Sequence, residues 1–127
     1  MSRTITRGVR VDVAPSYLEE QSDPRAGIWA FAYHVTITNE GDEDVQLLSR
    51  HWVITDARGH VEEVRGPGVV GQQPVIPPGG SWDYVSGCPL PTSMGTMHGS
   101  YRMSLASGET FDADIGPFTL AEPYTLN

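Results

Sequence analysis

Gly27-Ile28-Trp29-Ala30-Phe31-Ala32-Tyr33-His34-Val35-Thr36-Ile37-Thr38-Asn39 carries a large apolar or aromatic side chain at every second position from Trp29 to Ile37. Successive side chains of a strand point to opposite faces. Trp29, Phe31, Tyr33, Val35 and Ile37 therefore share one face, and Ala30, Ala32, His34, Thr36 and Thr38 share the other. Such a stripe fits a core strand and not a helix, whose apolar positions recur at three and four.

The same rhythm continues on both sides. Thr4–Thr6 and Val9–Val13 alternate around a bend at Gly8, and Pro15 with the polar run 19–25 reads as an exposed loop. Asn39-Glu40-Gly41-Asp42 is a turn, followed by a partner strand over 45–56 with Leu48, Trp52 and Ile54 at even spacing. Asp56-Ala57-Arg58-Gly59 closes that strand, and 60–65 returns as a hairpin arm. Residues 66–80 hold five Gly and four Pro, too many for a regular helix or central strand. Beyond them, 81–86 places Trp82 and Tyr84 on one face, and 88–98 reads as a second loop, so that His98 opens the next strand. Tyr101, Met103 and Leu105 mark that strand, and Phe111, Ile115, Phe118 and Leu120 mark the last. About seven strands with no linker or repeat predict one all-β domain over 1–127, an immunoglobulin-like or fibronectin-III-like antiparallel β-sandwich. Cys88 has no second cysteine to bridge to, so the core relies on Trp29, Phe31, Trp52, Trp82 and Tyr101.

Composition narrows the function. Sixteen acidic against eight basic residues give a net charge of −8, the wrong sign for a protein that grips nucleic-acid phosphates. The N-terminal segment lacks the apolar core of a secretory signal, and no apolar run reaches the ~18 residues of a membrane span. A cytoplasmic location is the expectation.

Chemistry-bearing patterns are few. Gly66, Gly68 and Gly71 spell G-x-G-x-x-G after Arg65, a pattern that can expose backbone N–H groups to a pyrophosphate. A dinucleotide fold needs a helix next, and Gln72-Gln73-Pro74-Val75-Ile76-Pro77-Pro78 cannot start one, while Pro67 removes a donor. The plainer reading is a tight, glycine-permitted loop. His34, His51, His60 and His98 lack metal-site spacing, and the acids at 40 and 42–44 lack the order of a calcium loop. Cys88 has no cationic sequence neighbour to activate it, and Glu62 and Glu63 point to opposite faces of a strand. Trp82, Tyr84, Met94 and Met97 would form a contact patch if exposed.

Ordered blocks along the chain resemble the ApaG family. They are His51-Trp52-Val53-Ile54-Thr55-Asp56, the stretch 61–71 with its Gly-Pro-Gly-Val-Val-Gly core, and Ile76-Pro77-Pro78-Gly79-Gly80. Tyr84-Val85-Ser86-Gly87-Cys88-Pro89-Leu90 and Met94-Gly95-Thr96-Met97-His98-Gly99-Ser100-Tyr101 extend the resemblance, which runs from about Thr4 to Leu120. The resemblance implies a fibronectin-III-like sandwich in a small bacterial cytoplasmic protein. It further implies an association with cobalt resistance and magnesium homeostasis, and genes neighbouring a diadenosine-tetraphosphate hydrolase. Similar domains in eukaryotic F-box and DNA-polymerase-interacting proteins look like protein-interaction modules. In the family, the motif that falls on Gly66, Gly68 and Gly71 has been suggested to contact pyrophosphate.

The expectation is thus a non-enzymatic binding module without cofactor. A protein partner would contact the loops at 65–80 and 88–98, because rigid sandwiches commonly present recognition through loops. The alternatives are a phosphate or nucleotide binder using Arg65, Gly66, Gly68 and Gly71, and a divalent-metal buffer or sensor. The oligomeric state is open between a monomer and an edge-paired dimer.

Overall fold

Val, Ile and aromatic residues alternating with polar ones suit a pleated, half-buried surface. In the computed structural model, which describes residues 1–123, they build nine strands. These are β1 (Ser2–Thr6), β2 (Val9–Tyr17), β3 (Trp29–Asn39), β4 (Val45–Asp56), β5 (Val61–Pro67), β6 (Val75–Ile76), β7 (Ser81–Leu90), β8 (Met94–Leu105) and β9 (Thr110–Ala121). All pair antiparallel, in one sheet of order β1-β2-β3-β7 and a second of order β5-β4-β8-β9, with β6 continuing alongside β4 at Val45 and Gln46. The last four positions of the expected domain lie outside the described residues. No helix is long and apolar enough to cross a membrane among the described residues.

The stripe on β3 faces the opposite sheet as its period requires. Phe31, Tyr33, Val35 and Ile37 are buried, and Trp29 is partly buried at the end of the strand, its indole donating to Glu122. Trp52 of β4 is the hub between the sheets. Its ring meets Tyr33 of β3 at 5.1 Å and stands nearly perpendicular to Tyr101 and Phe118 at 6.2 and 6.0 Å. Trp82 packs against this core from its margin.

Three expectations are corrected. The segment 88–98 is not a loop: β7 runs on to Leu90, β8 begins at Met94, and His98 lies inside β8. Pro89 is tolerated because β7 is the last strand of its sheet, where a missing N–H breaks no ladder. Pro15 likewise sits within β2, two residues past Val13, where pairing with β1 ends. Finally, Leu48 does not share a face with Trp52. The β4–β8 register slips between Leu47 and Ser49, which makes Leu48 the extra residue of a bulge. Val45 and Leu47 are buried before it, and the inward positions after it are Arg50, Trp52 and Ile54. That phase change turns an arginine toward the other sheet.

The two long sides of the sandwich differ. Along one, β1 and β9 are stitched together: Thr4 Oγ1 donates to the Asp114 carbonyl, and the Asp114 amide donates to Thr6 Oγ1. Arg7 at the β1–β2 turn pairs with Glu109 at the β8–β9 turn, at 2.9 Å. Along the other side, β5 and β7 are the edges of their sheets and leave a seam between them.

Candidate functional site: the open seam between β5 and β7

Two recesses, about 280 and 220 Å³, enter the sandwich along this seam, and Tyr33, Arg50, Trp52 and Ser86 line both. The larger lobe adds Ile54, Val64 and Met97 as floor, Cys88 as wall and Glu62 at its rim. The smaller is roofed by Val69 and Val70 and backed by Tyr84. Concave, mostly apolar sites with a few placed polar groups are where proteins take up ligands.

Arg50 is the polar centre. Directly opposite it in the β4–β5 ladder stands Gly66, so both share a face. A Cβ on Gly66 would fall 2.9 Å from Arg50 Nη2, so the missing side chain is what admits the guanidinium. Arg50 Nη1 then donates to the carbonyls of Pro67 at 3.0 Å and Gly68 at 2.9 Å. Gly68 has a φ of +57°, and a Cβ there would lie 2.3 Å from the Gln72 carbonyl oxygen. Val69 and Gln72 exchange backbone hydrogen bonds around Val70 and Gly71, both at positive φ, as in a type I′ turn. No helix follows the glycines among the described residues.

The sequence-derived anion residues are therefore divided. Gly66, Gly68 and Gly71 form a tight turn whose Gly68, Val69 and Gln72 amides donate to Leu48, Gln72 and Val69 carbonyls. Arg65 alternates to the outer face of β5, largely exposed, with Glu63 at 3.6 Å. The turn presents its carbonyls to Arg50, a residue that no sequence motif marks. Its one signal was a conflict of phase, since Val45 and Leu47 are odd-numbered while Trp52 and Ile54 are even.

Aromatic hydroxyls surround the guanidinium. Tyr84 and Tyr101 share a hydrogen bond, and burial raises both phenol pKa values. Burial raises Tyr33 as well. Burial pushes the Cys88 thiol up to about 11, with the Glu62 carboxylate adding to the rise. A neutral thiol is a poor nucleophile.

The contact patch expected from Trp82, Tyr84, Met94 and Met97 does not form, because Tyr84 and Met97 are buried in the core. The histidines lie apart, His34 beside Asp83, His51 beside Glu63, His60 after the β4–β5 turn and His98 on β8. No group of three or more His, Cys, Asp or Glu lies together as a metal site among the described residues. Two larger, more open recesses of about 360 and 370 Å³ lie on the outer sheet faces, where Arg102 pairs with Asp112 and Arg3 with Asp12.

A nine-stranded antiparallel sandwich, stitched on one side and open on the other, places the chain among the fibronectin-III-like β-sandwich proteins. The family model of the ApaG domain matches residues 19–105. The chain belongs to the ApaG family. It is 55% identical to the protein ApaG of Rhodospirillum centenum over 124 residues, covering 98% of this chain and 95% of that one. With the ApaG of Brucella suis it shares 53% over 123 residues, covering 97% and 95%. The crystal structure titled as the ApaA protein of Bordetella pertussis superposes with a TM-score of 0.89 at 51% identity, covering 91% of this chain and 94% of that one.

Proposed function

We propose that the chain is a non-enzymatic binding module that takes up a protein partner along the seam between β5 and β7. The observation that carries this reading is the asymmetry of the sandwich, stitched along β1 and β9 and open along two edge strands that flank a lined recess. An edge strand offers a row of backbone donors and acceptors to an incoming segment. Such strand addition takes affinity from the main chain and specificity from pockets for alternate side chains. Val70 in the glycine turn roofs the smaller lobe, while Val61 on β5 and Val85 on β7 face outward from the two edge strands; they are 58, 54 and 61% exposed and offer apolar contact to a segment laid along those strands. Of the two expected contact segments, 65–80 borders the seam through its turn, while 88–98 contributes as strand. The family's association with cobalt resistance and magnesium homeostasis would act through the partner.

Capture from bacterial extract tests this with three variants. Val61→Lys and Val85→Lys place a charge on the exposed outer faces of the two edge strands that border the seam, and Thr119→Lys does so on β9. A protein retained by the wild type and the β9 variant but lost from both seam variants supports the reading. Retention that ignores the seam substitutions, or that depends on β9 alone, overturns it.

A further inference from the structure

We propose that the seam recognises a carboxylate carried on an apolar body, with the Arg50 guanidinium as the group that binds it. This rests on the seam being the recognition surface and names what an occupant presents there. All eight basic residues of the chain are arginines. Arg3, Arg7, Arg10, Arg65 and Arg102 each pair with a carboxylate. Arg25, in a short 3-10 helix over Pro24–Ala26, and Arg58, in the β4–β5 turn, are exposed. Arg50 alone is half-buried with no carboxylate oxygen within 4.0 Å among the described residues, in a chain that carries twice as many acids as bases.

Its geometry is that of a receptor. Nη1 is committed to the Pro67 and Gly68 carbonyls, which fixes the plane of the guanidinium. Nε and Nη2 have no protein acceptor among the described residues, and together they form the side-on fork that matches the two oxygens of a carboxylate. Gly66 leaves one face of the guanidinium uncovered, so the group can lie flat across the ladder. Charge-assisted bonds of this kind gain strength where aromatic and aliphatic walls thin the water, and Tyr33, Trp52 and Val64 provide such walls.

The same surroundings select the ligand. Both lobes offer apolar floor, so the anion arrives on a hydrophobic body. A phosphate dianion would meet one guanidinium, the Glu62 carboxylate at the rim and a net charge of −8, with no second cation lining either lobe. A monovalent carboxylate is the better match. It can belong to the C-terminus of a partner segment or to a free aromatic acid.

Titration of the full chain, followed by ¹⁵N–¹H spectra, tests this with N-acetylphenylalanine, its amide and phenyl phosphate at up to ~10 mM. The acid is expected to shift the Trp52 indole and the Ser86 and Gly87 amides saturably, and the amide to bind about tenfold more weakly. Gly66→Ala, which pushes on the flexible end of Arg50, should weaken the acid without changing the amide. Arg50→Gln should do the same, its spectral dispersion reporting whether it folds; the acid–amide comparison on the wild type needs no variant. A heptapeptide ending in phenylalanine that outbinds the acid assigns the carboxylate to a protein terminus, and equal affinity assigns it to a small acid. Equal shifts with acid and amide, shifts outside the seam, or tighter binding of phenyl phosphate overturn the proposal. If the acid gives no response while Val85→Lys still abolishes capture, the carboxylate proposal fails and the partner reading survives. The reverse pattern separates them the other way.

Discussion

At the scale of single residues, Trp52 joins the two sheets, with three aromatic neighbours drawn from β3, β8 and β9. Trp52→Ala leaves a cavity that the rigid sheets cannot close, and we expect a loss of ~3–5 kcal/mol in urea unfolding, a large share of a small domain's stability. Its half-buried neighbour Val53→Ala should cost under about 1 kcal/mol in the same assay, since it faces away from the core. Cys88 is expected to react slowly with iodoacetamide at pH 8 in the native protein and rapidly in urea, because burial holds its thiol protonated with a pKa near 11. Equal rates in the two states would contradict that environment. The aromatic residues of this core were readable from the sequence because their spacing alone decides their face. Arg50 was not, because an arginine on a strand reads as surface until the strand's phase is known.

At the scale of elements, that phase is set by one residue. The bulge at Leu48 lets the first part of β4 bury its odd positions and the second part its even ones. β9 does the same, its pairing with β8 slipping so that Ile115 and Phe118 both face inward across Gly116 and Pro117. Deleting Leu48 would leave Leu47 and Trp52 four residues apart, so both would stay on the inner face and β4 would pair with β8 without a bulge. We expect the chain lacking Leu48 to keep the near-ultraviolet dichroism of its buried aromatics, and loss of that signal would show that the bulge itself is needed to seat Trp52. Strands with unbroken alternation, β3 above all, follow from sequence. Bulges and edge prolines do not, because each depends on which neighbour the strand acquires. Pro89 looked like a loop signal and sits in an edge strand. The glycines of 66–71 were read as a tight turn, and their further duty, leaving room for an arginine across the ladder, belongs to a partner strand.

At the scale of the whole molecule, burial of titratable groups sets the response to alkali. The unfolded thiol of Cys88 ionises near its ordinary value of about 8.5, whereas the folded one stays protonated to about 11. Between those values the unfolded chain binds fewer protons than the native one, so stability falls as pH rises. Tyr33, Tyr84 and Tyr101 are raised by burial and act in the same direction above about pH 10. Thermal midpoints should therefore decline from about pH 8.5 upward, and Cys88→Ala should flatten the first part of that decline. The unequal sides of the sandwich should appear in hydrogen exchange as well, with outer-edge amides of β5 and β7 exchanging faster than those of β1 and β9.

The first and last strands among the described residues, β1 and β9, both run along the stitched margin. Whatever is tethered ahead of β1 or beyond β9, an affinity tag or a neighbouring domain in a fusion, therefore leaves the sandwich from strands on the side away from the seam. The domain can be appended to a larger polypeptide, or immobilised on a surface by one end, with its mouth still facing outward.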